Sequence, residues 1–247
     1  MFICISIFLD CVSAQSGKNS VHIPSGFDVL FKGLDLTNWI VPQGDNGHWK
    51  VLNGVIDYDA ESEAIGDKHL WTIKEFNDFI LYVDWRIKET PYKNPRVPLI
   101  LPSGLHKLDK NVKEISKIVP DSDSGILFRG KDNNQVNQVN IWCWPIGSGE
   151  VYKYRMDRSM TAEVRRAVTP KCNADNNIGE WNTFKISVRG NLLNVELNGH
   201  IIIENAELPG LPEEGAIGLQ HHGRKENGEW VSPPSLVQFR NIYIKEL

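Results

Sequence analysis

The sequence predicts an all-β protein, a sandwich or jelly roll of two packed antiparallel sheets. Short runs rich in β-branched and aromatic residues recur along the chain with turn residues between them, and no long helical pattern interrupts them. Asn198-Gly199 separates two such runs and is a strong hairpin signal. Gly190-Asn191 predicts another tight turn, so residues 183–204 should form a three-stranded meander.

The predicted strands cover 80–88, 125–130, 137–144, 183–190, 192–199, 200–204, 216–222 and 236–247. Two stretches depart from this pattern. Residues 89–123 hold five of the 13 prolines and predict a long excursion between strands, and residues 156–180 predict a short helix over 161–168 that ends before Pro170. Long excursions in a compact domain often shape a binding site.

Composition and charge indicate an ordinary globular protein. The 247 residues are 41% hydrophobic and 23% charged. The net charge of −4 argues against a nucleic-acid partner, which would require a basic face.

The N-terminus predicts export. The apolar run from Phe2 to Leu9 is followed by small residues, as a signal-peptidase site requires, and it is too short to span a bilayer. We therefore expect a signal peptide over 1–14, a linker over 15–25, a single domain over 26–247, and a periplasmic or extracellular location. Of the four cysteines, Cys143 and Cys172 would remain and could pair.

Alternation along the strands separates inward from outward residues. Val83, Trp85 and Ile87 form an apolar set, which turns Asp84 outward. The same rule places His221 in phase with the inward residues Ile217 and Leu219. The outward residues that result are Asp84, Arg129, Gln138, Asn140, Trp142, Trp144, Gln220 and His222.

The chemistry of these outward residues is that of a carbohydrate site. Aromatic rings stack on sugar rings, and amide, guanidinium and imidazole groups bind hydroxyls. Structural alternatives stay open: the excursion could cover Trp142 and Trp144, Arg129 could form a surface ion pair, and His222 could be a hydrogen-bonded loop residue.

Five segments in the same order resemble the bacterial 3-keto-disaccharide hydrolase family, also described as 3-keto-glucoside lyase/hydratase domains. They are GFDVLFKGLDLTNW (26–39), DSGILFRG (123–130), NQVNIWCWPIGSGEVYKYR (137–155), GEWNTFKISVRG with LNG (179–199), and GAIGLQHHG followed by VQFRNIYIKEL (215–247). The resemblance implies a concanavalin-like jelly roll. It also implies cleavage, in carbohydrate breakdown, of small glycosides whose 3-hydroxyl a separate sugar oxidoreductase has oxidised to a ketone.

Such cleavage needs a base near carbon 2, an electrophile on the enolate oxygen and an acid for the leaving group. We assign His222 as the base or acid, Arg129 to the enolate oxygen and Glu150 as a second acid or base. The predicted substrate-binding residues are Asp84, Gln138, Asn140, Trp142, Trp144 and Gln220. A divalent metal ion could polarise the ketone, but no ligand spacing identifies one.

Two other functions are compatible with the same fold. A carbohydrate-binding module without catalysis would use a similar surface, because a fold does not fix a function. A glycoside hydrolase with two carboxylates is disfavoured, because no strand carries closely spaced acids of the E-x-D-x-x-E type.

Overall fold

The computed structural model describes residues 25–130 and 137–247, so the predicted signal peptide lies outside the described residues. The chain is built almost wholly of strands. Their bounds are β1 Asp28–Phe31, β2 Trp39–Ile40, β3 Lys50–Leu52, β4 Val55–Asp57, β5 Leu70–Phe76, β6 Phe79–Ile87, β7 Tyr92–Pro98, β8 Ser116–Asp121, β9 Asp123–Gly130, β10 Asn137–Trp142, β11 Asn182–Arg189, β12 Leu192–Leu197, β13 His200–Glu207, β14 Gly215–Leu219, β15 Arg224–Glu226, β16 Glu229–Ser232 and β17 Val237–Glu246. Two short helices, α1 Tyr152–Met156 and α2 Ala162–Ala167, follow β10.

Two antiparallel sheets form the sandwich, which confirms the predicted fold class. The large sheet has the order β13-β12-β11-β6-β17-β4-β3, with β1 also paired to β17. The small sheet has the order β10-β9-β14-β5-β2. Two hairpins, β7-β8 and β15-β16, pair outside these sheets.

Alternate residues of both sheets fill one hydrophobic core. Leu81, Val83 and Trp85 of β6 are buried in the same cluster as Ile126 and Phe128 of β9. The predicted meander is present as β11, β12 and β13. Asn198 and Gly199 have φ of 52° and 84°, the positive values that a two-residue hairpin turn of this kind requires.

The two departures from the strand pattern form a hairpin and two short helices, of which α2 packs against β13 of the large sheet. The excursion contains the hairpin β7-β8 and two isolated bridges that extend it, Ile100 with His106 and Leu108 with Glu114. Helix α2 lies within the predicted helical range, and the side chain of Thr161 caps its first turn by accepting from Val164 N. Among the described residues, no helix is long and apolar enough to cross a membrane.

Candidate functional site

The outer face of the small sheet carries a continuous polar surface. Ile126 and Phe128 point into the core, so alternation sends Asp123 and Gly125 to the opposite face. Antiparallel pairing sets Asn140 of β10 beside Gly125. The backbone N–H of Gln220 donates to Gly125 O at 3.0 Å, which brings the residue after β14 to the same place.

Two glutamine side chains join across this face. Gln138 Nε2 donates to Gln220 Oε1 at 3.1 Å, and Gln220 Nε2 donates to Gln138 Oε1 at 2.9 Å. Gln138 also donates to Asn140 Oδ1. A Cβ on Gly125 would lie 3.2 Å from both glutamine amides, so the glycine leaves room for this pair. The sheet therefore presents three amide groups side by side, as expected for Gln138, Asn140 and Gln220.

His222 lies at the end of this surface in a fixed orientation. Its Nδ1 is 2.6 Å from the carbonyl oxygen of Pro233, and its backbone N–H donates to Ser235 Oγ at 2.6 Å. A carbonyl oxygen can only accept, so Nδ1 carries a proton and Nε2 is the ring nitrogen left for proton transfer. The residue is partly exposed, so a ligand can reach it.

Two aspartates stand close to His222. Burial raises the pKa of Asp123 to about 7; the nearby His222 lowers it and Asp121 raises it further. Burial also raises the pKa of Asp121, opposed by hydrogen bonds from Asn94, from the backbone N–H of Cys143 and from Trp144. Asp123 thus titrates near neutral pH beside an imidazole, although it lies outside the predicted strand and was not among the predicted site residues.

His69 is a second residue near His222 that the strand pattern alone did not identify. Leu70 points into the core, so His69 and Trp71 share the outer face. His69 Nδ1 accepts from the backbone N–H of His221 at 3.0 Å, and burial lowers the pKa of His69, with His222 lowering it further and Asp67 opposing this. The ring is therefore neutral with its proton on Nε2, which makes it a hydrogen-bond donor.

His221 has a different environment from its neighbour. Its Nδ1 is 2.7 Å from the hydroxyl of Tyr58, whose ring stacks on Trp49 at 3.7 Å between centroids. Burial and the nearby positive groups lower the pKa of His221 to about 3. His221 is thus a neutral residue at the edge of the core, and the two histidines do not form one clamp.

Trp142 and Trp144 stack on each other at the end of β10, with ring centroids 4.1 Å apart. Trp142 is only 3% exposed and its Nε1 donates to Gly147 O at 2.7 Å. Trp144 is partly exposed, and its Nε1 donates to Asp121 Oδ2 at 3.1 Å. Trp144 can therefore contact a ligand, whereas Trp142 mainly supports it.

The backbone of Glu150 lies beside that of Asn140, and its side chain forms a buried ion pair. Its backbone oxygen accepts from Asn140 N at 3.0 Å, and its Oε1 accepts from Arg155 Nε at 2.5 Å. Burial raises the pKa of Glu150 to about 7, opposed by Arg155. Its Oε2 is buried with no hydrogen-bond partner among the described residues.

Arg129 lies away from this surface, contrary to the expectation that it faces the enolate. It has a φ of 46°, which interrupts the strand alternation on which that expectation rested. Its guanidinium donates to the carbonyl oxygens of Asn77, Gly190 and Pro212 and to Asp78, at 2.7 to 2.9 Å. Its donors are thus occupied by turns at the far end of β9.

Asp84 is also separate from the site. It points outward as predicted, but from β6 of the large sheet, and so away from the small sheet. Its carboxylate accepts from Thr183 at 2.6 Å, Asn241 at 2.8 Å and Arg240 at 3.2 Å. The side chain links three strand residues on the outer face of the large sheet.

Cys143 has a free thiol, so it does not pair with Cys172. Within 25–130 and 137–247, no group of three or more His, Cys, Asp or Glu side chains is arranged to hold a metal ion.

Comparison with known proteins places this geometry in a family. The model of the 3-keto-alpha-glucoside-1,2-lyase-like domain matches residues 26–245. No curated protein shows significant sequence similarity to the chain.

Three crystal structures from Parabacteroides distasonis ATCC 8503 share the fold, and each is described provisionally as a glycosyl hydrolase. One is 21% identical with a TM-score of 0.56, covering 90% of this chain and 84% of its own. A second is 19% identical with a TM-score of 0.53, covering 90% and 99%. The third is 16% identical with a TM-score of 0.53, covering 90% and 94%.

Proposed function

The chain belongs to the family of 3-keto-alpha-glucoside-1,2-lyase-like domains, and on that premise we propose that it cleaves 3-keto-glycosides by elimination followed by hydration. The supporting observation is the placement of a fixed imidazole, His222, beside a carboxyl group that titrates near neutral pH, Asp123. Both lie at the face that carries the three amide groups.

The reaction has two halves, elimination and hydration, and each half needs two proton transfers. A ketone at carbon 3 acidifies the carbon-2 proton. A base removes that proton, the carbon 1–oxygen bond breaks as a carbon 1–carbon 2 double bond forms, and the departing oxygen takes up a proton. Water then adds across the double bond, with hydroxyl at carbon 1 and hydrogen at carbon 2, and gives the free 3-keto sugar.

His222 serves as the base at carbon 2. Its Nδ1–H is held by Pro233 O, so Nε2 has the lone pair that accepts the proton, and the carbonyl fixes the direction of the ring.

Asp123 serves as the acid for the leaving oxygen. Its raised pKa of about 7 keeps a large fraction of the carboxyl protonated at neutral pH, which an ordinary aspartate would not achieve. Glu150 has a similarly raised pKa and a free Oε2, and it is the second candidate for this role.

His69 takes the place first assigned to Arg129. A neutral imidazole with its proton on Nε2 can donate to the ketone and strengthen that bond as the enolate forms. The amide groups of Gln138, Gln220 and Asn140 bind substrate hydroxyls, and Trp144 stacks on a sugar ring.

The test compares 3-keto-trehalose with unoxidised trehalose, and wild type with His222→Gln. We expect wild type to cleave the keto sugar and to leave trehalose intact. We expect His222→Gln to lower kcat by about 100- to 10,000-fold, the usual contribution of a general base, while the keto sugar still binds. His200→Gln, on β13 of the large sheet, is the matched control and should keep full activity.

Cleavage of trehalose at the same rate as the keto sugar would refute assistance by the ketone. Binding of the keto sugar without turnover by wild type would instead favour the carbohydrate-binding module.

A further inference from the structure

A cavity of about 430 Å³ opens beside the tryptophan stack, outside the group of His222, Asp123 and the amides. It lies between the ends of the two sheets. Trp85 and Asn182 line it from the large sheet, Cys143 and Trp144 from the segment after β10, and Asp175 from the loop after α2. Its volume falls within the range of small-molecule sites.

Two lining residues have buried polar atoms without a hydrogen-bond partner in the described part of the chain. They are Nε1 of Trp85, a donor, and Oδ1 of Asp175, an acceptor. The other carboxylate oxygen of Asp175 accepts from Ser148 N at 2.9 Å, which fixes the side chain. Leaving such atoms unpaired is costly, so a ligand that bonds both would gain free energy.

The rest of the lining suits a neutral hydroxylated ring. Among the described lining residues, Asp175 is the one that carries a formal charge, so the site offers no cation to an anionic ligand. Four amide side chains line the same cavity: Asn173, Asn176, Asn177 and Asn182. Amides for hydroxyls next to the ring of Trp144 form the combination that binds sugars.

The cavity adjoins the proposed reaction centre through shared residues. Trp144 lines the cavity and donates from Nε1 to Asp121 Oδ2 at 3.1 Å. Asp121 in turn is near enough to His222 for the imidazole to lower its pKa. Trp144 and Asp121 thus connect the cavity with the surroundings of His222, where the first ring of a disaccharide would be held.

We propose that the cavity binds the sugar ring that leaves, a neutral pyranose, with Asp175 Oδ1 and Trp85 Nε1 bonding its hydroxyls. The assignment rests on the proposed function, because that function supplies a substrate with two rings. The 3-keto ring occupies the surface beside His222, and the unoxidised ring occupies the cavity.

Two variants test the cavity. Val119 lines it from β8 and is partly exposed, so Val119→Phe fills space without removing a polar contact. Asp175→Asn keeps the shape and the acceptor for Ser148 N, but replaces the free acceptor with a donor. Asp28→Asn, an exposed aspartate on β1, is the matched control for the loss of charge.

The first measurement is a titration of the wild type with D-glucose, followed by tryptophan fluorescence, with cyclohexanol as a ring that lacks the hydroxyl pattern. We expect saturable binding of glucose and none of cyclohexanol. Both cavity variants should weaken glucose binding about 10-fold or more, and Asp28→Asn should match wild type.

The second measurement compares 3-keto-trehalose with methyl 3-keto-glucoside, whose leaving group is too small to fill the cavity. We expect the cavity variants to raise KM about 10-fold for the disaccharide and less than 2-fold for the methyl glycoside. Equal effects on both substrates, or unchanged glucose binding in both variants, would overturn the proposal.

The two proposals can fail separately. If wild type cleaves neither keto substrate, the proposed function fails, and glucose binding that Val119→Phe abolishes would still support a sugar site. If wild type cleaves both substrates but does not bind glucose, the cavity assignment fails and the function stands.

Discussion

Arg129 shows how a residue with suitable chemistry can serve stability instead. Its guanidinium ties together the turn at Asn77 and Asp78, the turn at Gly190 and the loop at Pro212. The sequence could not reveal this, because a single positive φ at Arg129 reverses the alternation that holds for the rest of β9.

The Arg129→Met variant should therefore be less stable to unfolding but keep its catalytic activity. We expect the free energy of unfolding to fall by about 2–4 kcal/mol, because three carbonyl groups and Asp78 lose their donor, while Asp78 can partly re-solvate. Urea denaturation measures this change, and kcat at a temperature where the variant stays folded should be within about 2-fold of wild type.

Arg158→Met changes the same residue type at an exposed position and should cost less than about 0.5 kcal/mol. A large fall in kcat for the folded Arg129→Met variant would contradict this and would indicate that Arg129 acts on the enolate oxygen.

The raised pKa of Asp123 predicts how the stability of the fold depends on pH. Its pKa in the folded chain is raised to about 7, well above that of an unfolded aspartate, so between pH 4 and pH 7 the folded state holds a proton that the unfolded state has lost. Stability from this group is present below pH 4 and is lost as the pH rises to 7.

Asp123→Asn removes this loss of stability, because an asparagine side chain does not titrate in this range. We expect the stability of the variant relative to wild type to increase by about 2 kcal/mol between pH 4 and pH 8, from roughly 1.4 kcal/mol per pKa unit reduced for partial exposure. Urea denaturation at each pH provides the values. A difference between the two proteins that stays constant across this range would show that the carboxyl has an ordinary pKa.

At the scale of elements, alternation predicted the faces well and the ends of strands poorly. Gln138 and Asn140 lie on the outer face as expected, because β10 is a regular strand with a period of two residues. The predicted strand over 216–222 extends too far, since β14 ends at Leu219, and β9 begins at Asp123, two residues before the prediction. That shift hid Asp123, which shares the phase of Gly125.

β9 has no room for a side chain at Gly125, beneath the two glutamines. In Gly125→Ala the new Cβ would lie 3.1 Å from Val139 O and 3.2 Å from the amides of Gln138 and Gln220. The Val139 oxygen belongs to the backbone and cannot move away easily, so the paired amides of Gln138 and Gln220 should be displaced. We expect KM for 3-keto-trehalose to rise about 10-fold, with a fall of a few degrees in Tm.

Gly218→Ala provides the comparison on the next strand, because its Cβ would meet the ring of Trp71 at 2.6 Å and not the amides. We expect it to lower Tm more than Gly125→Ala. An unchanged KM in Gly125→Ala would remove the glutamine pair from substrate binding.

At the scale of the whole molecule, the site depends on register. His69 directly precedes β5, Asp123 begins β9 and His222 follows β14; these three strands are far apart in the chain but adjacent in the small sheet. A sequence shows which residues share a strand face, but not which strands are neighbours. The strand pattern and the resemblance to the family therefore predicted the fold, and the resemblance suggested the chemistry, while His69 and the separation of Asp84 from the site required the structure.

Cleavage by elimination requires that the carbon-2 proton leaves the sugar. The most direct measurement runs the reaction with 3-keto-trehalose in D₂O, stops it early and locates deuterium in the released 3-keto sugar by NMR. Carbon 4 is an internal control, since the same ketone acidifies its proton. We expect deuterium at carbon 2 and not at carbon 4; product formed with its carbon-2 proton retained would contradict elimination.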